Sequence, residues 1–230
     1  MAKLVWDKTG ERFVESGVSH VVFYPQTSTG YGNGVAWNGV TSISESPDGA
    51  DSNDLWADNI KYASLRAAET LGLSIEAYTY PDEFAECDGT AAPVKGLFIG
   101  QQKRKSFGLC YRTEIANDTM TEADDGYKLH LVYNCTASPS ERSYETMNDS
   151  PDAITFSWDI DTLPEAITGY KPTALITIDS LKLDTAGKTA LTTLENMLYG
   201  TNGENNAAGT EPTLPSPDQV LGMFGIDVDG

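Results

Sequence analysis

The sequence predicts a mainly β fold, a β-sandwich or half-open barrel with one flanking helix and extended terminal arms. Three observations carry the prediction. Apolar residues alternate with polar ones at period two in segment after segment, glycine and proline punctuate the intervals, and one amphipathic helical stripe comes late in the chain.

In chain order, Val35, Trp37, Thr41 and Ile43 alternate with small or polar residues and read as a strand bent at Gly39. Residues 46–59, with Pro47, Asp48, Gly49, Asp51 and Asp54, lack periodicity and read as a polar loop. Residues 60–69 fit strand or helix, since Ile60, Tyr62 and Ser64 alternate while Ala67, Ala68 and Glu69 favour a helix. Leu71, Leu73, Ile75 and Ala77 alternate cleanly as a strand continuing to Tyr80, and Pro81 to Cys87 reads as one helical turn with Asp82 and Glu83 at its positive end. Further strands are expected over 106–115, 127–135, 154–160 and 173–183. In the third of these Ile154, Phe156, Trp158 and Ile160 face one way and Asp159 and Asp161 the other. A helix over 186–199 presents Ala190, Leu191, Leu194 and Leu198 on one stripe and ends at Gly200. A second, short helix is expected from Ser216 as N-cap with Pro217 at its first position, after a flexible linker over 201–211.

The 230 residues suffice for one elaborated domain with a proper core. No apolar run approaches the roughly 18 residues a membrane-spanning helix needs, and Met1 to Lys8 lacks the apolar core of a secretory signal, so a cytoplasmic site of synthesis is expected. Cys87, Cys110 and Cys135 are widely spaced and odd in number, which favours buried free thiols. A net charge of −19 argues against a nucleic-acid binder, which needs a basic patch on its phosphate-facing side. The excess is lopsided: ten basic residues stand against fifteen acidic ones up to Ile115, then five against nineteen.

Motifs for catalysis or cofactors fall short of their chemistry. Asp184-Thr185-Ala186-Gly187-Lys188-Thr189 opens a helix as a phosphate loop does, but Lys182 stands where the first glycine must be, leaving a capped helix start. Gly30-Tyr31-Gly32-Asn33-Gly34 precedes a strand where a dinucleotide fingerprint follows one. Asp118, Glu122, Asp124 and Asp125 crowd before Gly126, yet Thr121 and Ala123 break calcium-loop spacing. Two histidines and scattered cysteines draw no zinc cluster. Asp159 with Asp161, or Asp82 with Glu86, are the acid pairs a β-sandwich hydrolase would use, although Asp159 and Asp161 share one strand face and do not straddle a substrate. Trp37, Trp56, Tyr78 and Tyr80 are the aromatics a carbohydrate-binding module would display.

A longer ordered series points elsewhere. It runs through Glu45-Ser46-Pro47-Asp48-Gly49-Ala50, Trp56-Ala57-Asp58-Asn59-Ile60, Tyr80-Pro81-Asp82-Glu83-Phe84, Phe107-Gly108-Leu109-Cys110-Tyr111-Arg112-Thr113 and Tyr127-Lys128-Leu129-His130-Leu131. It closes with Ala137-Ser138-Pro139-Ser140-Glu141, Ile154-Thr155-Phe156-Ser157-Trp158 and Leu214-Pro215-Ser216-Pro217-Asp218. This series resembles the major tail tube proteins of long-tailed bacteriophages. It covers most of the chain, departing chiefly at 94–98, 116–125 and after Leu198.

The resemblance implies a virion structural protein without enzymatic activity or cofactor. Its copies would close into hexameric rings stacked as a tail tube, with neighbouring sheets joined around a lumen. It further implies a body over 25–200, arms over 1–24 and 201–230 reaching the next ring, and the 46–59 loop as an inter-ring contact, with Trp56, Asp58 and Asn59 as candidate contact residues. Asp159 and Asp161 become candidate lumen acids, repelling DNA that passes without binding. The implied partners are the chain itself, a tape measure protein, a tail terminator and a distal tail protein. The implied location is the virion tail, reached from the host cytoplasm.

Overall fold

The computed structural model describes residues 3–49, 51–119, 126–144, 146, 153–203 and 208–227. Its strands are β1 (Phe13–Thr27), β2 (Gly30–Tyr31), β3 (Val35–Ala36), β4 (Val40–Gly49), β5 (Ser52–Ala57), β6 (Ile60–Arg66) and β7 (Glu69–Ala77), then β8 (Ala91–Val94), β9 (Leu97–Ile99), β10 (Phe107–Asn117), β11 (Gly126–Ala137), β12 (Phe156–Thr162) and β13 (Leu175–Asp179). Two helices follow, α1 (Thr185–Tyr199) and α2 (Pro217–Met223). The fold is mainly β, as the alternation predicts. Its large sheet runs in the order β2-β1-β10-β11-β12-β7-β4, with β13 beside the first half of β11 and β3 on the edge of β1.

This sheet bends into two walls because β11 turns over partway along. Leu109 lies opposite Val132 and Phe107 opposite Cys135, so β11 carries one residue more than β10 between these pairs. The extra residue falls at Asn134, whose φ of 48° is left-handed. Before this bulge the odd-numbered Leu129, Leu131 and Tyr133 face the helices; beyond it Cys135 and Ala137, also odd, face the opposite core. At the same place β11 exchanges β13, paired through Val132, for β12, paired from Cys135. The Asn134 N–H donates to the Tyr31 hydroxyl at 3.0 Å, and its side-chain oxygen accepts from Gln26 at 2.8 Å.

The first wall (β1, β10, β11, β13) is covered on its outer face by the helices. Asp184 caps α1, its carboxylate accepting the Gly187 N–H at 2.7 Å, and Ser216 and Gln219 form a reciprocal capping box on α2. Leu191, Leu194 and Leu198 of α1 and Val220 of α2 are buried against Val22, Tyr24, Cys110 and Leu131. Arg112 fastens α1 in place, reaching Glu195 at 2.5 Å and the Tyr199 hydroxyl at 3.1 Å with its guanidinium 4.3 Å from the Tyr127 ring centre.

Between the walls lies an aromatic core. Phe84, from the 3-10 turn Asp82–Glu86, sits within 5.5 Å of the rings of Phe23, Trp37, Phe107 and Trp158. Asp88 holds this turn by accepting from the Trp158 indole at 3.2 Å and by ion pairs with Arg104 and Arg142. Residues 37–39 carry the chain from the β1 edge to the second wall (β12, β7, β4), with Gly39 at φ 77° and the Trp37 indole donating to the Thr79 carbonyl at 2.9 Å. All three cysteines are free and buried.

Several expectations need correction. The bent strand at Gly39 is two strands, β3 and β4, paired to different walls. Residues 46–59 are not a loop: Ser46 to Gly49 complete β4 and Ser52–Ala57 forms β5. The expected N-terminal arm over 1–24 overlaps β1, whose Val21 to Tyr24 are core, and Gly10 before it is bonded to Asn117 and Asp118. The expected C-terminal arm over 201–230 includes Leu214 and Val220, both buried. The linker over 201–211 is tied across by the Thr201 and Thr210 backbones. Ile154 precedes its strand and is exposed, and the strand expected over 173–183 is confined to Leu175–Asp179.

Asn134→Val places a β-branched residue in a left-handed conformation at this hinge and should lower stability by about 1–3 kcal/mol, whereas Asn134→Gly should lose less. Urea unfolding of the two variants checks the order.

Candidate functional site

Hairpin β5–β6 stands apart from the large sheet, its strands pairing only with each other. Asp58 (φ 50°) and Asn59 (φ 65°) form the two-residue turn between Ala57 and Ile60, the left-handed pair that matches strand twist in a tight hairpin. Leu55, opposite Ala63, lies on the same face as Leu65, while Trp56, two residues from Asp54, projects from the other. Trp56 is 68% exposed, and Ile60, Tyr62 and Leu65 are exposed with it. Both faces thus present apolar side chains to water, held by little beyond the ladder and a Lys61–Asp54 ion pair at 2.8 Å. The sequence-predicted contact residues Trp56, Asp58 and Asn59 are gathered at this tip.

Hairpin β8–β9, beside the 3-10 turn Asp82–Glu86, is also paired only with itself among the described residues. Lys95 and Gly96 turn the chain between Val94 and Leu97, and Val94, Leu97, Phe98 and Ile99 are all exposed. The stretch from Gly89 to Thr113 contains no acidic residue and five basic ones in a chain otherwise dominated by carboxylates. Arg104, Lys105 and Arg112 pair with Asp88, Glu86 and Glu195, whereas Lys95 and Lys103 have no ion pair among the described residues. The balance of ten basic against fifteen acidic residues up to Ile115 conceals this local reversal of charge.

The outer face of the second wall is different again. Register sets Ser157, Glu76 and Ser42 in one row, Asp159, Ser74 and Ser44 in the next, and Asp161, Gly72 and Ser46 in a third. Asp159 and Asp161 are exposed here, on the opposite side of β12 from the buried Trp158 and Ile160. Ser42 donates to Glu76 and Ser138 to Asp161, each at 3.2 Å. None of these rows contains a lysine or arginine.

Where the β4–β7 ribbon leaves the body, Glu45 crosses between the walls. It receives the Tyr111 hydroxyl at 2.5 Å and faces His130 Nδ1 at 3.3 Å. His130 is 6% exposed, stacks on Tyr111 with ring centres 4.6 Å apart, and meets the Thr113 hydroxyl through Nε2 at 3.0 Å. Hydroxyl, imidazole and carboxylate stand in the order a hydrolytic triad uses, but the Thr113 proton is donated to Glu15 at 2.6 Å and the ring lies under Tyr111. The arrangement joins walls rather than activating a nucleophile. The His130 contact and the Tyr111 hydroxyl hold the Glu45 carboxyl below its ordinary range, and Lys128 and Thr113 do the same for Glu15.

The other expected sites do not assemble. Trp37 is 3% exposed inside the core and Trp56 stands on the separate hairpin, so no carbohydrate platform forms. Asp159 and Asp161 share one face, and Glu86 pairs with Lys105. Asp118 accepts the Gly10 N–H at 2.8 Å; Glu122, Asp124 and Asp125 lie outside the described residues. Among the described residues no helix is long and apolar enough to cross a membrane.

No protein-family model and no curated protein matches the chain. Among solved structures it is similar to a chain in the cryo-EM structure of the anti-feeding prophage (AFP) baseplate, 6-fold symmetrised, with a TM-score of 0.36 and 8% identity. The likeness covers 78% of this chain and 100% of that one.

Glu45 and Glu15 titrate below their ordinary value of 4.5 in the folded state, so the unfolded chain binds protons first on acidification. Their contribution to stability is full above that value and lost as pH falls through the lowered folded values. Urea midpoints measured down a pH series should fall in this window, and Glu45→Gln should flatten the slope.

Proposed function

We propose that this chain is a self-assembling phage tail tube subunit, whose copies close into hexameric rings that stack around a conduit for DNA. The observation that carries the reading is hairpin β5–β6, which exposes apolar side chains on both faces and pairs with no other strand among the described residues. A two-stranded hairpin is marginal alone in water, so this one makes physical sense only when another surface covers it. The series of segments resembling tail tube proteins supplies the class of assembly.

Open sheet edges add to the case. β4 ends the strand order, and among the described residues β1 has no outer strand partner from Phe13 to His20. Joining such edges between copies removes a liability that a monomer has to manage, and a closed ring leaves none. The serine- and acid-lined outer face of β12, β7 and β4 suits a lumen wall, because carboxylates repel a phosphate backbone within about 8 Å at physiological salt. In this reading the ring stacks on itself, the tape measure protein occupies the lumen before DNA does, and terminator and distal tail proteins close the two ends. The location follows as the virion tail.

Negative-stain electron microscopy and sedimentation over a concentration series test the reading. Rings or tubes are expected, and Trp56→Ala should raise the concentration needed for assembly by about 30-fold, the equivalent of roughly 2 kcal/mol for a buried aromatic anchor. Monomers at every concentration, even with preformed ends supplied, would overturn it.

Reversing the lumen charge gives a second measurement. Particles carrying Asp159→Lys and Asp161→Lys should retain labelled DNA at low salt and release it as salt rises, whereas unmodified particles should not retain it.

A further inference from the structure

We propose that the β5–β6 hairpin of one copy docks on the β8–β9 hairpin of a neighbouring copy, an apolar contact framed by opposite charges. The inference rests on the assembly reading above and names the partner surface for each hairpin. Both are self-paired two-stranded units among the described residues; β8–β9 lies beside the 3-10 turn Asp82–Glu86, and both hairpins leave large apolar side chains open to water.

Charge distinguishes which hairpin fits which. β8–β9 lies within the acid-free stretch from Gly89 to Thr113 and offers Lys95 and Lys103, neither in an ion pair among the described residues. Pairing β8–β9 with a second β8–β9 would set these cations against each other. At the tip of β5–β6, Asp58 is exposed and also without an ion pair among the described residues, and Lys61 is taken by Asp54, while Asp51 and Arg66 stand together at the root. Opposing the β5–β6 tip to the β8–β9 turn places the Asp58 carboxylate by the Lys95 ammonium group beside Trp56 and Phe98, which are 68% and 58% exposed. Complementary rims of this kind fix register and exclude the like-charged alternative.

The two surfaces differ, so the contact is head-to-tail. Each copy gives one hairpin and receives another, and the contact propagates from copy to copy, closing as a ring or continuing as a filament.

Cross-linking tests this directly. Cys87, Cys110 and Cys135 are buried, so cysteines placed at Trp56→Cys and Phe98→Cys are the accessible thiols. With a short bis-maleimide, a mixture of the two single variants should give covalent dimers that neither variant gives alone, and a chain carrying both should give a ladder of multimers. A complementary pair guards against variants that fail to assemble. Lys95→Glu should raise the assembly concentration about tenfold, and mixing with Asp58→Lys chains should restore it. Particles that form without a Trp56-to-Phe98 link, or that link like to like, overturn this contact and leave the assembly reading standing. Absence of particles from the unmodified chain overturns both.

Discussion

The fold depends on the bulge at Asn134. A strand in a flat sheet has one inner and one outer face along its whole length, so β11 could serve only one core on each side. The extra residue inverts the alternation. Leu129, Leu131 and Tyr133 are thereby free to seat the helices, while Cys135 and Ala137 close the aromatic core beneath Trp158. The exchange of β13 for β12 at the same place allows the sheet to fold over as a half-barrel instead of continuing flat.

From this follows an unequal treatment of the two walls. The first is buried on both faces, by α1 and α2 outside and by the aromatic core inside. The second is buried on one face only and keeps serine and carboxylate on the other. The polar tie of Glu45 to His130 and Tyr111 crosses the interior where the second wall runs out into its projecting ribbon. Stability therefore resides in the body, and exposed apolar side chains lie on the two hairpins and on the N-terminal stretch from Leu4 to Val14.

What was legible in the sequence matches what has a buried face. β7, β12, α1 and the capped α2 each set a continuous apolar row against a core, and their periodicities were plain. β1 was not, because Gly17 and His20, both at positive φ, shift its register twice against β10 and break the alternation. β5 was missed for a different reason: a hairpin with apolar side chains on both faces has no dominant period to detect. Among the candidate site residues, Asp159 and Asp161 stood out through the alternation of β12, and Trp56 through the family resemblance. The cluster around His130 gathers side chains from β1, β4, β10 and β11, and no local pattern brings such residues together.

β1 waits for β10, which ends at Asn117, and the first wall is completed only when β13, ending at Asp179, joins β11, after most of the chain has emerged from the ribosome. Hairpins β5–β6 and β8–β9, by contrast, close within a few residues and form early. A nascent chain thus exposes the apolar side chains of these hairpins before it owns a finished body. Contact order consequently becomes a hazard of expression, since chains made fast at high local concentration meet through finished hairpins on unfinished folds.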